Sequence, residues 1–236
     1  MRALTDADVL RLWEAGLALA PLDRGLALLH AAGPEASGAQ LAGLPAAERD
    51  RRLLLARALT FGEQAAAFAR CPECDAELEV PFSTEALLRD APGIEPDQTW
   101  EAEVDGHRVV FRLPTSLDIA AAVASQDDPA AALARRCLQG PDDTPDSPSF
   151  LAALERAMVA AHPHVEPAFG LVCPDCGHEW TAVLDIGSFF WAEIAREARQ
   201  LVYEVHTLAR SYGWREADIL GLTRPRRHAY LEMALG

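Results

Sequence analysis

Four of the five cysteines fall in two copies of one pattern, Cys71-Pro72-Glu73-Cys74 and Cys173-Pro174-Asp175-Cys176. A two-residue gap lets both sulfurs of a pair point at one ion, and four thiolates form the tetrahedral shell of a structural Zn²⁺ site. Each pair is expected at the tip of a β-hairpin. Ala69-Arg70 leads into the first and residues 76–80 lead out, while residues 169–172 and 178–184 flank the second. Two knuckles facing one metal make a zinc ribbon, whose usual spacer is about 15–20 residues; here a far longer insertion separates them. Two separate redox pairs are the competing reading, but no βαβ pattern places a C-x-x-C at a helix start. His178 in place of one sulfur is a further variation. Four cysteines already complete the shell, so an ordinary polar residue on the outgoing strand is the simpler reading.

A closed Cys₄ shell leaves no position for water or substrate, which assigns it to stability rather than catalysis. It would clamp residue 71 to residue 176 and hold everything between them as one loop, with one structural zinc per chain.

The elements that must position this centre are helices on both sides of it. The chain of 236 residues is half apolar, enough for a sizeable core and against global disorder. No apolar run is long enough to span a bilayer and no secretory signal pattern opens the chain, so no membrane insertion and a cytoplasmic location are expected. Cysteines used for metal rather than disulfides fit that compartment. Cys137 sits in a helical pattern and reads as a small core residue.

Residues 4–19 read as a helix capped by Thr5 with Asp8, stopped by Pro21. A second runs from about Leu22 to Ala32, then a Gly/Ala/Ser-rich loop over 33–43. A third opens with Pro45 in its first turn and ends at Phe61-Gly62. His30 reads as a helix-end dipole partner. Beyond the first knuckle, Thr84 to Arg89 reads as one or two helical turns. Thr99–Val104, Asp105-Gly106 and His107–Leu113 form a hairpin whose Asp-Gly supplies the positive φ angles of a two-residue turn. Trp100, Ala102 and Val104 alternate with Glu101 and Glu103, which face Arg residues of the returning strand.

Thr115 and Asp118 cap a helix to about Ser125, and Asp127-Asp128-Pro129 opens another to about Leu138. Residues 139–148 hold three Pro and three Asp and read as a solvated loop. A helix from Ser149 to His162 returns the chain to the second knuckle; His162-Pro163-His164 reads as a turn. The last long helix, about Ser188 to Tyr212, carries the seam Phe190, Ile194, Ala198, Leu201, Val205, Leu208 and Tyr212, widened by Phe189 and Trp191. Gly213, Trp214 and two short helices follow.

The fold class is therefore α+β: helical N- and C-terminal parts around a small antiparallel β zinc-ribbon core with a long, mostly helical insertion. The parts are an N-terminal helical subdomain (1–66), the first knuckle and hairpin (67–113), the helical insertion with its acidic loop (114–164), the second knuckle hairpin (165–187) and the C-terminal helical segment (188–236).

Charge narrows the function. Residues 71–185 hold 22 acids against six Arg, a net −16, so the acidic excess of the chain lies in the part the metal would clamp. A zinc ribbon this acidic repels phosphate, which disfavours a nucleic-acid-binding regulator. The sequence shows no Gly-rich phosphate loop, no nucleophile elbow and no second metal-spaced set, so no catalytic residues are assigned; a metal-dependent enzyme using acids of the insert is the other alternative.

An ordered set of segments carries a resemblance. It comprises the third helix (44–55) leading through Phe61-Gly62 to Cys-Pro-x-Cys, and then Phe111-Arg112-Leu113-Pro114-Thr115-Ser116-Leu117-Asp118. Asp185-Ile186-Gly187-Ser188-Phe189-Phe190-Trp191 follows. The set closes with the run from Glu204-Val205-His206 through Tyr212-Gly213-Trp214 to Leu222, and with Arg226-Arg227-x-x-Tyr230-Leu231-Glu232. The set resembles the T4-family baseplate hub assembly chaperones of contractile tails, in the version associated with bacterial extracellular contractile injection systems. The resemblance implies a non-enzymatic assembly chaperone or minor baseplate component that binds hub and spike proteins. Phe189, Phe190, Trp191, Tyr212 and Trp214 are the candidate contact, with plain core packing as the competing reading.

Overall fold

The computed structural model describes residues 1–91, 93–140, 145–161 and 167–235. His162-Pro163-His164 and part of the acidic loop lie outside the described residues.

The N-terminal helices are α1 (Asp6–Gly16), α2 (Pro21–Ala32), α3 (Gly38–Ala42) and α4 (Ala46–Phe61). Thr5 and Asp8 form a reciprocal capping box on α1. Pro21 does not merely stop the first helix; it is the first residue of the second, where its missing N–H costs nothing. α3 lies inside the stretch expected to be loop, held by a second capping box between Ser37 and Gln40. Pro45 stands just outside α4 as its N-cap residue.

Two strands of one ladder and a short helix follow: β1 (Gln64–Arg70), β2 (Glu77–Ser83) and α5 (Thr84–Asp90). The insertion holds β3 (Thr99–Val104), β4 (His107–Arg112), α6 (Ser116–Val123), α7 (Pro129–Cys137), β5 (Leu138–Gln139) and α8 (Pro148–Ala161). Asp105 and Gly106 take φ of 49° and 80° at the β3–β4 turn, as the Asp-Gly pair requires. Glu101 pairs with Arg108 diagonally across the ladder, since Arg108 lies directly opposite Glu103. β5 pairs with β4, a strand too short to leave a pattern in the sequence. The chain ends with β6 (Ala168–Val172), β7 (Glu179–Val183), α9 (Ile186–Tyr212), α10 (Glu216–Leu220) and α11 (Arg224–Leu235).

This is an α+β fold with small antiparallel sheets, ordered β1-β2, β3-β4-β5 and β6-β7. The expected β core is corrected in one respect: the main buried core is helical. α9 packs against α1, α2 and α4, and Phe190, Ile194, Ala198 and Leu201 of its seam are fully buried beside Leu28, Leu29, Leu53 and Val9. A second core inside the insertion gathers Val109, Phe111, Cys137, Phe150 and Leu154. Cys137 is fully buried there, and burial pushes its thiol up to about 12, so it packs as a neutral side chain. A third cluster of Leu208, Ile219 and Leu231 fastens the last two helices to the far end of α9.

Two close contacts fix how the helices meet. Trp191 lies over Gly16, where an added Cβ would sit 2.1 Å from the indole ring. Arg227, 2% exposed, bonds Asp6 at the start of α1 and Glu204 of α9, each at 2.6 Å. Ions so deeply buried hold only when fully paired.

Asp8 is a buried charge satisfied locally, at the start of α1. It accepts from Arg2 at 2.6 Å, Arg11 at 2.9 Å and the Thr5 N–H at 3.0 Å. Burial pulls its pKa up, but the bonds from Arg2 and Thr5 outweigh it and hold the carboxyl at about 2, below the ordinary 3.8. A depressed folded-state pKa stabilises the fold above pH 3.8, and that contribution is lost as pH falls through about 2. Asp8→Asn is expected to cost roughly 2 kcal/mol at neutral pH, and the gap to the parent protein should shrink by about half at pH 3. Urea denaturation of both proteins at several pH values checks this; a gap independent of pH would remove the electrostatic explanation.

Candidate metal centre

Each knuckle is built by the same local rules. Cys71 N–H donates to the Ala76 carbonyl and Asp75 N–H to the Cys71 carbonyl. In the second copy Cys173 N–H donates to the His178 carbonyl and Gly177 N–H to the Cys173 carbonyl. The residue after the second cysteine must then turn with positive φ: Asp75 at 59° and Gly177 at 75°. Asp and Gly are residue types that tolerate this left-handed turn.

The two tips meet. All four Sγ atoms lie within 4.8 Å of one another, with Cys71–Cys176 and Cys74–Cys173 each at 3.6 Å. Four sulfurs about 2.3 Å from one ion in a tetrahedron would stand roughly 3.8 Å apart, so the donor set and its spacing fit a single Zn²⁺. Cys71 and Cys173 are buried and Cys74 and Cys176 are exposed, which places the cluster at the rim of the molecule. The His178 ring stacks near Trp180 at 6.1 Å, and the cluster consists of sulfurs alone.

Sulfurs this close oppose one another's ionisation. Backbone N–H groups of Cys176 and Asp175 favour the Cys173 thiolate and bring it down to about 7. The Ala76 N–H favours the thiolate of Cys74 too, yet the neighbouring Cys176 and Cys173 thiols push it up to about 12. A divalent cation removes that conflict by taking all four as thiolates. The chain's residues would bind and orient such an ion through Cys71, Cys74, Cys173 and Cys176.

The hairpin bases are fixed separately. Arg57 of α4, 3% exposed, bonds Glu193 of α9 at 2.7 and 2.8 Å. It also donates to the carbonyls of Gly62 at 2.7 Å and Gln64 at 3.0 Å, where β1 begins. β7 runs through Leu184 into α9, whose N-cap Asp185 accepts from Ser188 N–H at 3.0 Å. Phe82 of β2 packs between Phe169 of β6 and Phe189 of α9, at 5.6 and 5.4 Å. Thus the ladders are joined by sulfur at the tips, by aromatic rings midway and by one buried ion pair at the base. No local sequence pattern marks Arg57 for this role, because its partner lies 136 residues away.

The candidate contact residues do not form one surface. Phe190 is fully buried and packs in the core, in line with its place on the seam and with the competing reading of core packing. Phe189 is half-buried among Phe82 and Arg57, and Trp191 half-buried beneath Arg24. Tyr212 stacks on Trp214 at 4.7 Å with Tyr230 edge-on, and of the three only Tyr212 is exposed. The other buried acids, Glu48 and Asp118, are neutralised by Arg51 with Arg52 and by Arg112 with Arg136.

Residues 33–140 match the family model described as T4 bacteriophage base plate protein. The match runs from α3 through the first knuckle to β5, and it supports a baseplate-related protein. No curated protein and no solved structure matches the chain. No helix among the described residues is long and apolar enough to cross a membrane.

Two outcomes are expected. Elemental analysis should find about one zinc per chain, and chelation should lower Tm sharply; a metal-free protein of equal stability would contradict a structural ion. Arg57→Met should cost about 3–5 kcal/mol by stranding Glu193, whereas a cost under 1 kcal/mol would show that the base of the hairpins is held by packing alone.

Proposed function

We propose that the chain is a non-enzymatic assembly chaperone or minor component of the baseplate in a phage-tail-like contractile injection system, where it binds hub or spike proteins. The match of residues 33–140 to a baseplate family carries this reading. The physical form agrees with it. Arginine–carboxylate pairs, a helical core and a sulfur cluster that fits one structural Zn²⁺ give a rigid body with an acidic flank. Such a body suits holding a basic or apolar partner until another subunit displaces it.

The acidic middle of the chain disfavours a nucleic-acid regulator, since phosphate would meet like charge. Of the five candidate contact residues, Tyr212 is the exposed one. Trp214 packs with Leu208 and Ile219 and is needed for the end of the helix.

Co-purification of the chain with hub and spike proteins of a contractile injection system tests the reading. A stoichiometric complex is expected, weakened by Tyr212→Ala with Tm unchanged. Absence of any complex with those proteins would overturn the assignment, and a complex indifferent to Tyr212→Ala would move the contact elsewhere.

A further inference from the structure

The edges of the first ladder are finished differently. Cys71 N–H and the Glu63 carbonyl both bond across to β2, so odd-numbered residues of β1 turn their backbone groups toward that strand. Gln64, Ala66, Phe68 and Arg70 therefore aim theirs away from it. The same register turns Glu77, Glu79, Pro81 and Ser83 of β2 outward. Pro81 has no N–H, and with two glutamates beside it that edge is blunted against pairing. β1 has no such protection. It contains no Pro, and among the described residues no strand pairs with its other side. Arg57 takes the Gln64 carbonyl, which leaves the edge open from Ala66 to Arg70.

The side chains on that strand point to an occupant. Phe68 is 73% exposed, the most exposed large apolar side chain among the described residues. Glu79 lies directly opposite it, and Glu73 and Asp75 follow toward the knuckle, while Glu77 is paired with Arg70. A chain of net charge −15 repels a second copy of itself, whereas Lys or Arg on a visiting strand would be attracted.

We propose that the free edge of β1, from Ala66 to Arg70, pairs with an extended strand from a basic partner protein. Backbone hydrogen bonds form at Ala66 and Phe68, an alternate apolar side chain of the visitor packs on Phe68, and its cations meet Glu79 and the acids of the knuckle. The inference rests on reading the chain as a protein-binding baseplate part and names the surface used.

The test titrates the isotopically labelled full chain with a seven-residue peptide alternating Val and Lys, using a Val/Glu peptide as control. Amide chemical shifts and hydrogen exchange report the contact. Expected are shifts and at least a few-fold slower exchange at Ala66 and Phe68, with no response to the Glu peptide. Ala66→Pro, which removes an outward N–H and leaves the β2 bonds in place, and Phe68→Ser should each weaken binding at least ten-fold. Both variants should keep their Tm; if Ala66→Pro unfolds, Phe68→Ser alone decides. Shifts spread over the acidic surface, no response at Ala66 and Phe68, or equal binding by Phe68→Ser would overturn the proposal. So would a dimer of the free chain already protected at those amides. Peptide protection at β1 combined with no complex with hub or spike proteins would reject the baseplate reading and leave the edge site standing.

Discussion

Two β-hairpins separated by most of the insertion are held together at both ends. Everything else in the molecule is arranged around that double closure. At the tips, four sulfurs converge within 4.8 Å. At the base, Arg57 joins Glu193 and two carbonyls where the first hairpin leaves α4. A buried ion pair of this kind contributes less by its own attraction than by the cost of breaking it, because either partner alone would be a stranded charge. It therefore fixes where α4 and α9 must lie, and with them the roots of both ladders. A metal at the tips would close the longer loop and remove chain entropy from the unfolded state.

The same economy of paired arginines recurs away from the centre. Arg227 ties α11 to α1 and α9, while Arg112 and Arg136 neutralise the Asp118 cap of α6. Burying guanidinium groups against carboxylates lets one chain combine a strongly acidic insertion with a compact helical core. The insertion has its own core around Phe111 and Phe150. It meets the N-terminal helices through a narrow seam: the Pro45–Thr115 bridge, the Ala46 N–H to the Pro114 carbonyl, and Leu113 against Ala47 and Ile94. The match to baseplate proteins spans this seam, so the matched segment holds part of each core and the first knuckle but not the second.

Local signals in the sequence were legible wherever the chemistry is local. The paired Cys-Pro-x-Cys patterns, the Thr5 and Thr115 caps and the Asp105-Gly106 turn each depend on residues within a few positions of one another, and the structure places them as their spacing predicts. The fully buried step of α9 from Phe190 to Leu201 followed from its 3.6-residue period. What stayed hidden depends on distance in the chain. Arg57 finds Glu193, Arg227 finds Asp6, and Trp191 finds Gly16 only after folding, and no period or motif announces them. A run of three aromatic residues does not show which neighbours are covered: Phe190 falls on the buried seam, while Phe189 and Trp191 stay half-buried beside it. The Gly- and Ala-rich composition of α3 resembles loop, and its one helical signal is the Ser37–Gln40 capping box.

One ion held by Cys71, Cys74, Cys173 and Cys176 would join hairpins that no backbone hydrogen bond unites among the described residues. X-ray absorption at the zinc edge of the purified protein tests it most directly. Four sulfur neighbours at about 2.3 Å are predicted, with no nitrogen or oxygen in the shell. A shell of two sulfurs completed by nitrogen or oxygen would mean that the hairpins do not share an ion, and the double closure would be contradicted.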